Sequence, residues 1–98
     1  MSRGSDHDYE SDEFKSARNA AERGLDFEFA SRVFAGPFLE REDRRRQYGE
    51  PRFATVGEVD GVLITVIWTP RDRIRRIISA WPASRRERRL YREYREKE

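Results

Sequence analysis

The chain has 98 residues, 21 of them Lys or Arg and 19 Asp or Glu, with 36% apolar residues, one histidine and no cysteine. That length has room for one core, burying roughly 60–65% of the extended surface. Disulfides, thiol nucleophiles and Cys-ligated metals are out, and with His7 as the only imidazole a Ser-His-Asp triad or a His-rich metal centre has next to no support.

The net charge of +2 hides an asymmetry, −4 over residues 1–40 and +6 over the remainder. A basic C-terminal portion points to an anionic partner, of which nucleic acid is the commonest. The longest apolar run, residues 62–68 interrupted by Thr65, falls far short of the ~20 residues of a membrane span. No basic lead followed by an apolar stretch marks a secretory signal, so the expected compartment is the cytoplasm, with no membrane contact.

Residues 1–8 lack periodicity and read as a disordered lead-in to a single domain over 9–98. Residues 9–11 suit a short edge strand. Asp12 is a fair N-cap for a helix to about Arg23, with Gly24 as its left-handed stop. Asp26 caps a second helix over residues 27–34, where Phe27, Ala30 and Phe34 share a face, and Gly36-Pro37 ends it. The charged stretch 40–50 has no apolar period and reads as an exposed loop.

Residues 52–59 and 62–69 are rich in β-branched side chains and are joined by Asp60-Gly61, a two-residue hairpin signal. Pro70 and Asp72 allow a second turn into a third strand over 73–80. Ser84 followed by Glu87 forms a capping box for a last helix to about Glu96, with Ala83, Leu90, Tyr91 and Tyr94 as its apolar stripe. The fold class is therefore α+β: two N-terminal helices, an antiparallel meander of three to four strands, and a C-terminal helix.

Candidate chemistry gathers in the basic portion. Arg85 and Arg86 stand in the first turn of the last helix, where the helix dipole disfavours cations; with Arg89 they suit an anion, or else are solvated surface. Two-residue alternation puts Arg73, Arg75, Ile77 and Ser79 on one face of the third strand. Ile74, Arg76, Ile78 and Ala80 then take the other, core-like face. Arg76 there requires a ligand or a carboxylate such as Glu10, Asp12 or Glu28, unless it escapes past the sheet edge. Trp81 either stacks a base or packs at the strand–helix junction. Phosphate-binding glycine loops, HExxH and CxxC are absent.

Tyr9-Glu10 with Asp12, Lys15 and Asn19 resembles the opening motif of BrnT-type toxins, and Gly24 with Phe27 resembles the motif that follows it. Tyr48-Gly49-Glu50 with Arg52, then Gly57, Gly61, Thr69 and Arg71, is similar to the family's central strands. The run from Arg76 to Ala80 with Ala83, Arg86-Glu87 and Tyr91 is similar to its closing motif. Two positions depart from the pattern: Arg23 stands where the family usually has histidine, and Trp81 where it commonly has arginine.

The resemblance implies a RelE-like toxin of a type II toxin–antitoxin pair that cuts RNA without a metal or other cofactor and inhibits translation. It implies neutralisation by a BrnA-like ribbon-helix-helix antitoxin, in a 2:2 heterotetramer that reaches operator DNA through the antitoxin. On that view Arg76, Glu87, Lys15 and Tyr91 are the catalytic candidates, and Arg71, Ser79, Trp81, Arg85, Arg86 and Arg89 hold RNA phosphates or bases. Arginine is a poor proton carrier, so the base and acid remain to be chosen among Glu87, Lys15, Tyr91 and Glu10. The other reading is a non-catalytic subunit that grips an antitoxin or nucleic acid with the same basic face.

Overall fold

The Asp12 carboxylate accepts the amides of Phe14 and Lys15 at 2.8 and 3.3 Å, satisfying donors that a helix start leaves orphaned. It opens α1 (Glu13–Arg23), which Gly24 closes at φ 80. Asp26 accepts from Phe29 at 2.7 Å and opens α2 (Phe27–Ser31). The computed structural model describes residues 9–10 and 12–97, so the expected lead-in over 1–8, including His7, lies outside the described residues.

The second helix does not run to residue 34 as one α-helix. It tightens into a 3-10 turn, Arg32–Ala35. The Ser31 hydroxyl donates to the Glu28 carbonyl at 2.7 Å, a local bond of the kind that bends helices. The tighter turn lays Val33 against the sheet at Gly57, where an added Cβ would lie 3.0 Å from Val33 Cβ.

Among the described residues the sheet has five strands: β1 (Tyr9–Glu10), β2 (Phe38–Glu42), β3 (Phe53–Val59), β4 (Val62–Arg71) and β5 (Ile74–Pro82). Their spatial order is β1-β5-β4-β3-β2, antiparallel except for β1, which runs parallel to β5 at the edge. Asp60-Gly61 turns with φ 50 and 81, as expected of a primed hairpin. The second turn falls at Asp72-Arg73, φ 51 and 69, so Pro70 and Arg71 belong to β4.

The stretch expected to be a loop from residue 40 is strand as far as Glu42. Phe38, Glu40 and Glu42 take one side of this edge strand, and the Glu40 carboxylate accepts the Thr55 hydroxyl at 2.6 Å. Charged residues are at home on a sheet edge, which is why composition alone concealed the strand.

The helical face holds the main core. Phe27, Ala30, Val33 and Phe34 pack on Val59, Ile64, Val66, Trp68, Ile77 and Ala80. Trp68 stacks on Phe53 at 5.0 Å, meets Phe34 edge-on at 6.0 Å and donates its indole N–H to Thr55 at 2.8 Å. Buried Asn19 locks α1 to this layer, donating to the carbonyls of Leu25 and Ala80 at 2.6 and 2.9 Å. The other face carries α3 (Arg85–Glu96), packed over β2 and β3 through Tyr91, Val56 and Ala83. Among the described residues no helix is long and apolar enough to cross a membrane.

A bulge corrects the expected alternation in β5. Ile67 pairs with Ser79, but Trp68 pairs with Ile77, which leaves Ile78 without an opposite residue. Ile77 and Ala80 therefore join the same core, under the helices. Arg76, expected on the core side, sits opposite Thr69 on the other face, together with Ser79 and Trp81. Arg75 is the arginine on the helical side, its guanidinium 4.1 Å from the Phe34 ring centroid.

Candidate functional site

The face that α3 leaves open is organised around Trp81. Because of the bulge, Arg76, Ser79 and Trp81 project from β5 on one side, opposite Thr69, Ile67 and Thr65 of β4. Arg76, Ser79 and Trp81 are all half-buried. The last turn of α1 brings the Arg23 guanidinium 5.3 Å from the indole centroid. A cation there is also favoured by the carbonyl end of the helix.

The capping box of α3 fixes the other side of the indole. Glu87 Oε1 accepts the Ser84 amide at 2.7 Å and the Trp81 indole N–H at 3.2 Å, while Ser84 Oγ accepts the Glu87 amide at 3.1 Å. Burial alone would raise the Glu87 pKa. Hydrogen bonding from the Ser84 backbone and from the Trp81 indole outweighs it and holds the carboxyl below its ordinary value.

The third contribution comes from the loop between β2 and β3. Buried Asp43 is clamped by the Arg45 guanidinium, Nε to Oδ1 at 2.8 Å and Nη2 to Oδ2 at 2.9 Å, and also accepts the Tyr48 hydroxyl at 3.2 Å. These bonds hold the Asp43 carboxyl down to about 2, the Arg45 side-chain hydrogen bond being the largest cause and partial burial opposing it. Arg45 is held by the same pairing further above the usual arginine range. The Asp43 amide donates to the Arg52 carbonyl at 2.7 Å, and the Arg52 guanidinium lies 4.0 Å from the Tyr48 ring centroid. Arg45 in turn reaches Trp81, 5.8 Å from its centroid.

Between these three segments lies a cavity of about 520 Å³ lined by Arg23, Arg45, Arg52, Ser79, Trp81, Ile67 and Ile78. A neighbouring cavity of about 380 Å³ runs from Trp81 and Glu87 to Arg41, Arg44 and Arg45. Guanidinium groups beside a hydroxyl and a partly open indole can hold a phosphate by charge-assisted hydrogen bonds and a base by stacking.

The residues singled out from the sequence are divided by the structure. Ser79, Trp81 and Glu87 meet at these cavities, and Arg76 shares their face. Arg71 is exposed at the far end of β4, beside the Asp72-Arg73 turn. Arg85, Arg86 and Arg89 are exposed on α3 and line neither cavity. Lys15 is exposed in the first turn of α1. Tyr91 is buried against Val56 and Ala83, its hydroxyl donating to the Pro37 carbonyl at 3.5 Å.

Sequence reasoning missed Arg23, Arg45 and Arg52 as members of this site. Arg23 and Arg52 were singled out only as positions in the resemblance, and Arg45 carried no signal of its own. Among the described residues, no group of three or more His, Asp or Glu side chains is placed to hold a metal ion. A family model described as the ribonuclease toxin, BrnT, of type II toxin–antitoxin systems matches residues 12–87. No curated protein matches the chain.

Proposed function

The chain belongs to the BrnT family of ribonuclease toxins of type II toxin–antitoxin systems, and from that premise we propose that its Trp81 face is a metal-independent endoribonuclease site acting on single-stranded RNA in the cytoplasm. The observation that carries this reading is the gathering of Arg76, Ser79 and Trp81 on one open face of β5, with the Arg23 guanidinium over the indole.

In such a site the ribose 2′-oxygen attacks the adjacent phosphorus and the bond to the 5′-oxygen breaks, giving a 2′,3′-cyclic phosphate and a 5′-hydroxyl. The 2′ proton passes to a base and the departing oxygen receives a proton from an acid. Negative charge accumulates on the phosphorane, and Arg76 and Arg23 stabilise it. Ser79 donates to a non-bridging oxygen, and Trp81 stacks a base flanking the cleaved bond. Glu87, held ionised by its hydrogen bonds, is a feeble base; its part is to fix the indole plane. Lys15, Tyr91 and Glu10 remain the sequence's candidates for proton transfer.

The antitoxin partner is of the BrnA ribbon-helix-helix kind, in a 2:2 assembly that meets operator DNA through the antitoxin. The exposed arginines of α3, with an apolar groove of about 340 Å³ between that helix and β2–β3, support such a partner. Leu39, Val56, Leu90 and Tyr94 line the groove.

Purified protein is expected to cut RNA in EDTA, to leave cyclic-phosphate ends and to lose activity on Arg76→Ala. Cleavage that survives in that variant, or that disappears with EDTA, overturns the mechanism. Expression alone is expected to arrest translation, and co-expression of the antitoxin to restore it. Protein that binds RNA with steep salt dependence yet leaves it intact, in vitro and in cells, would be a binding subunit instead.

A further inference from the structure

The β2–β3 loop contains an arrangement that the cleavage chemistry leaves unused. Arg45 is 65% exposed, yet its guanidinium is fixed from behind by the Asp43 carboxylate, itself 3% exposed. Nε and Nη2 are the atoms that face Asp43. A cavity of about 400 Å³ lined by Arg45, Arg46, Tyr48 and Arg52 adjoins the Trp81 cavity and shares Arg45 and Arg52 with it. A lone exposed arginine loses rotamer freedom when it grips a ligand. One already clamped by a buried carboxylate has lost that freedom on folding.

We propose that this second cavity is a phosphate subsite: Arg45, oriented by Asp43, together with Arg46 and Arg52, takes the phosphate next to the scissile one in single-stranded RNA, and Asp43 is its positioning residue. The proposal rests on reading the Trp81 face as the RNA-cleaving site.

Charge counting and positioning predict opposite signs. If Asp43 merely places a negative charge near the nucleic acid, Asp43→Asn tightens binding. If it orients Arg45, the same change weakens binding although the face has become more basic.

The probe is an all-2′-deoxy decanucleotide, which lacks the attacking hydroxyl, with Kd measured by fluorescence anisotropy across a salt series. Arg45→Ala is expected to reduce the slope of log Kd against log salt by about 0.7, the contribution of one phosphate on a single strand. Asp43→Asn is expected to weaken Kd by roughly tenfold and to add nothing further in the Asp43→Asn/Arg45→Ala double variant.

An unchanged slope in Arg45→Ala overturns the subsite, and that variant keeps the test alive if Asp43→Asn fails to fold. Tighter binding by Asp43→Asn, or a full additional loss in the double variant, overturns the positioning role. Cleavage of the same sequence as RNA by the unsubstituted protein is scored separately, so the subsite can fail while cleavage stands.

Discussion

Asp43→Asn also carries a stability prediction that can be followed with pH. The carboxyl lies at about 2 in the folded protein against an ordinary 3.8. At about 1.36 kcal/mol per pH unit, that difference corresponds to about 2.4 kcal/mol of preference of the ionised form for the folded state. The Arg45 end of the pair is 65% exposed, so solvent and salt screen it, and about 1–2 kcal/mol is the realistic share.

Because the folded pKa is depressed, this contribution is complete above the unfolded value of 3.8 and is lost as pH falls through about 2. Melting temperatures of the unsubstituted protein and Asp43→Asn should differ by about 5–15 °C near neutrality, at about 4–8 °C per kcal/mol for a domain of this size. The gap should narrow steadily through the acid range, since asparagine does not titrate. A gap of equal size at both ends of the titration would show that Asp43 acts through shape rather than charge. No gap at neutrality would show that the ion pair contributes nothing to the fold.

Three further outcomes follow from packing and from the site. Asn19→Leu should lower stability by about 2–4 kcal/mol in urea titrations, since the buried carbonyls of Leu25 and Ala80 lose their donor. Gly57→Ala should lower it by about 1–3 kcal/mol, because the new methyl lies 3.0 Å from Val33 Cβ and 3.3 Å from the Val33 carbonyl oxygen; a melting temperature equal to that of the parent would refute the close approach. Trp81→Ala should weaken binding of a 2′-deoxy oligonucleotide by roughly 1–3 kcal/mol, about 5- to 150-fold in Kd, while Trp81→Phe retains part of the affinity. Equal Kd values for all three proteins would remove base stacking from the mechanism.

What the sequence made legible was local. Asp12, Asp26 and Ser84 announced their helices because a cap acts within one turn, and Asp60-Gly61 announced its hairpin because two left-handed residues suffice to make one. The strand Phe38–Glu42 was not legible, since an edge strand tolerates the charges that also mark a loop. The bulge at Ile78 was invisible to an alternation argument, and that single residue moved Arg76 from the expected core side to the open face.

The candidate site was legible only in part, because its side chains come from three separate stretches of chain. Arg23 ends α1, Arg45 and Arg52 belong to the β2–β3 loop, and Ser79 and Trp81 to β5. No spacing rule joins them. The two positions read as departures from the resemblance did carry a signal: the Arg23 guanidinium lies 5.3 Å from the Trp81 ring centroid.

The sheet divides its labour between its two sides. The layer under α1 and α2 holds nearly all the large apolar packing, whereas beyond α3 the reverse side around Trp81 presents mostly polar and charged groups. Substitutions around the indole therefore leave the large apolar packing under α1 and α2 untouched, and their cost in stability is set by the local bonds of Trp81 with Glu87 and of Asp43 with Arg45.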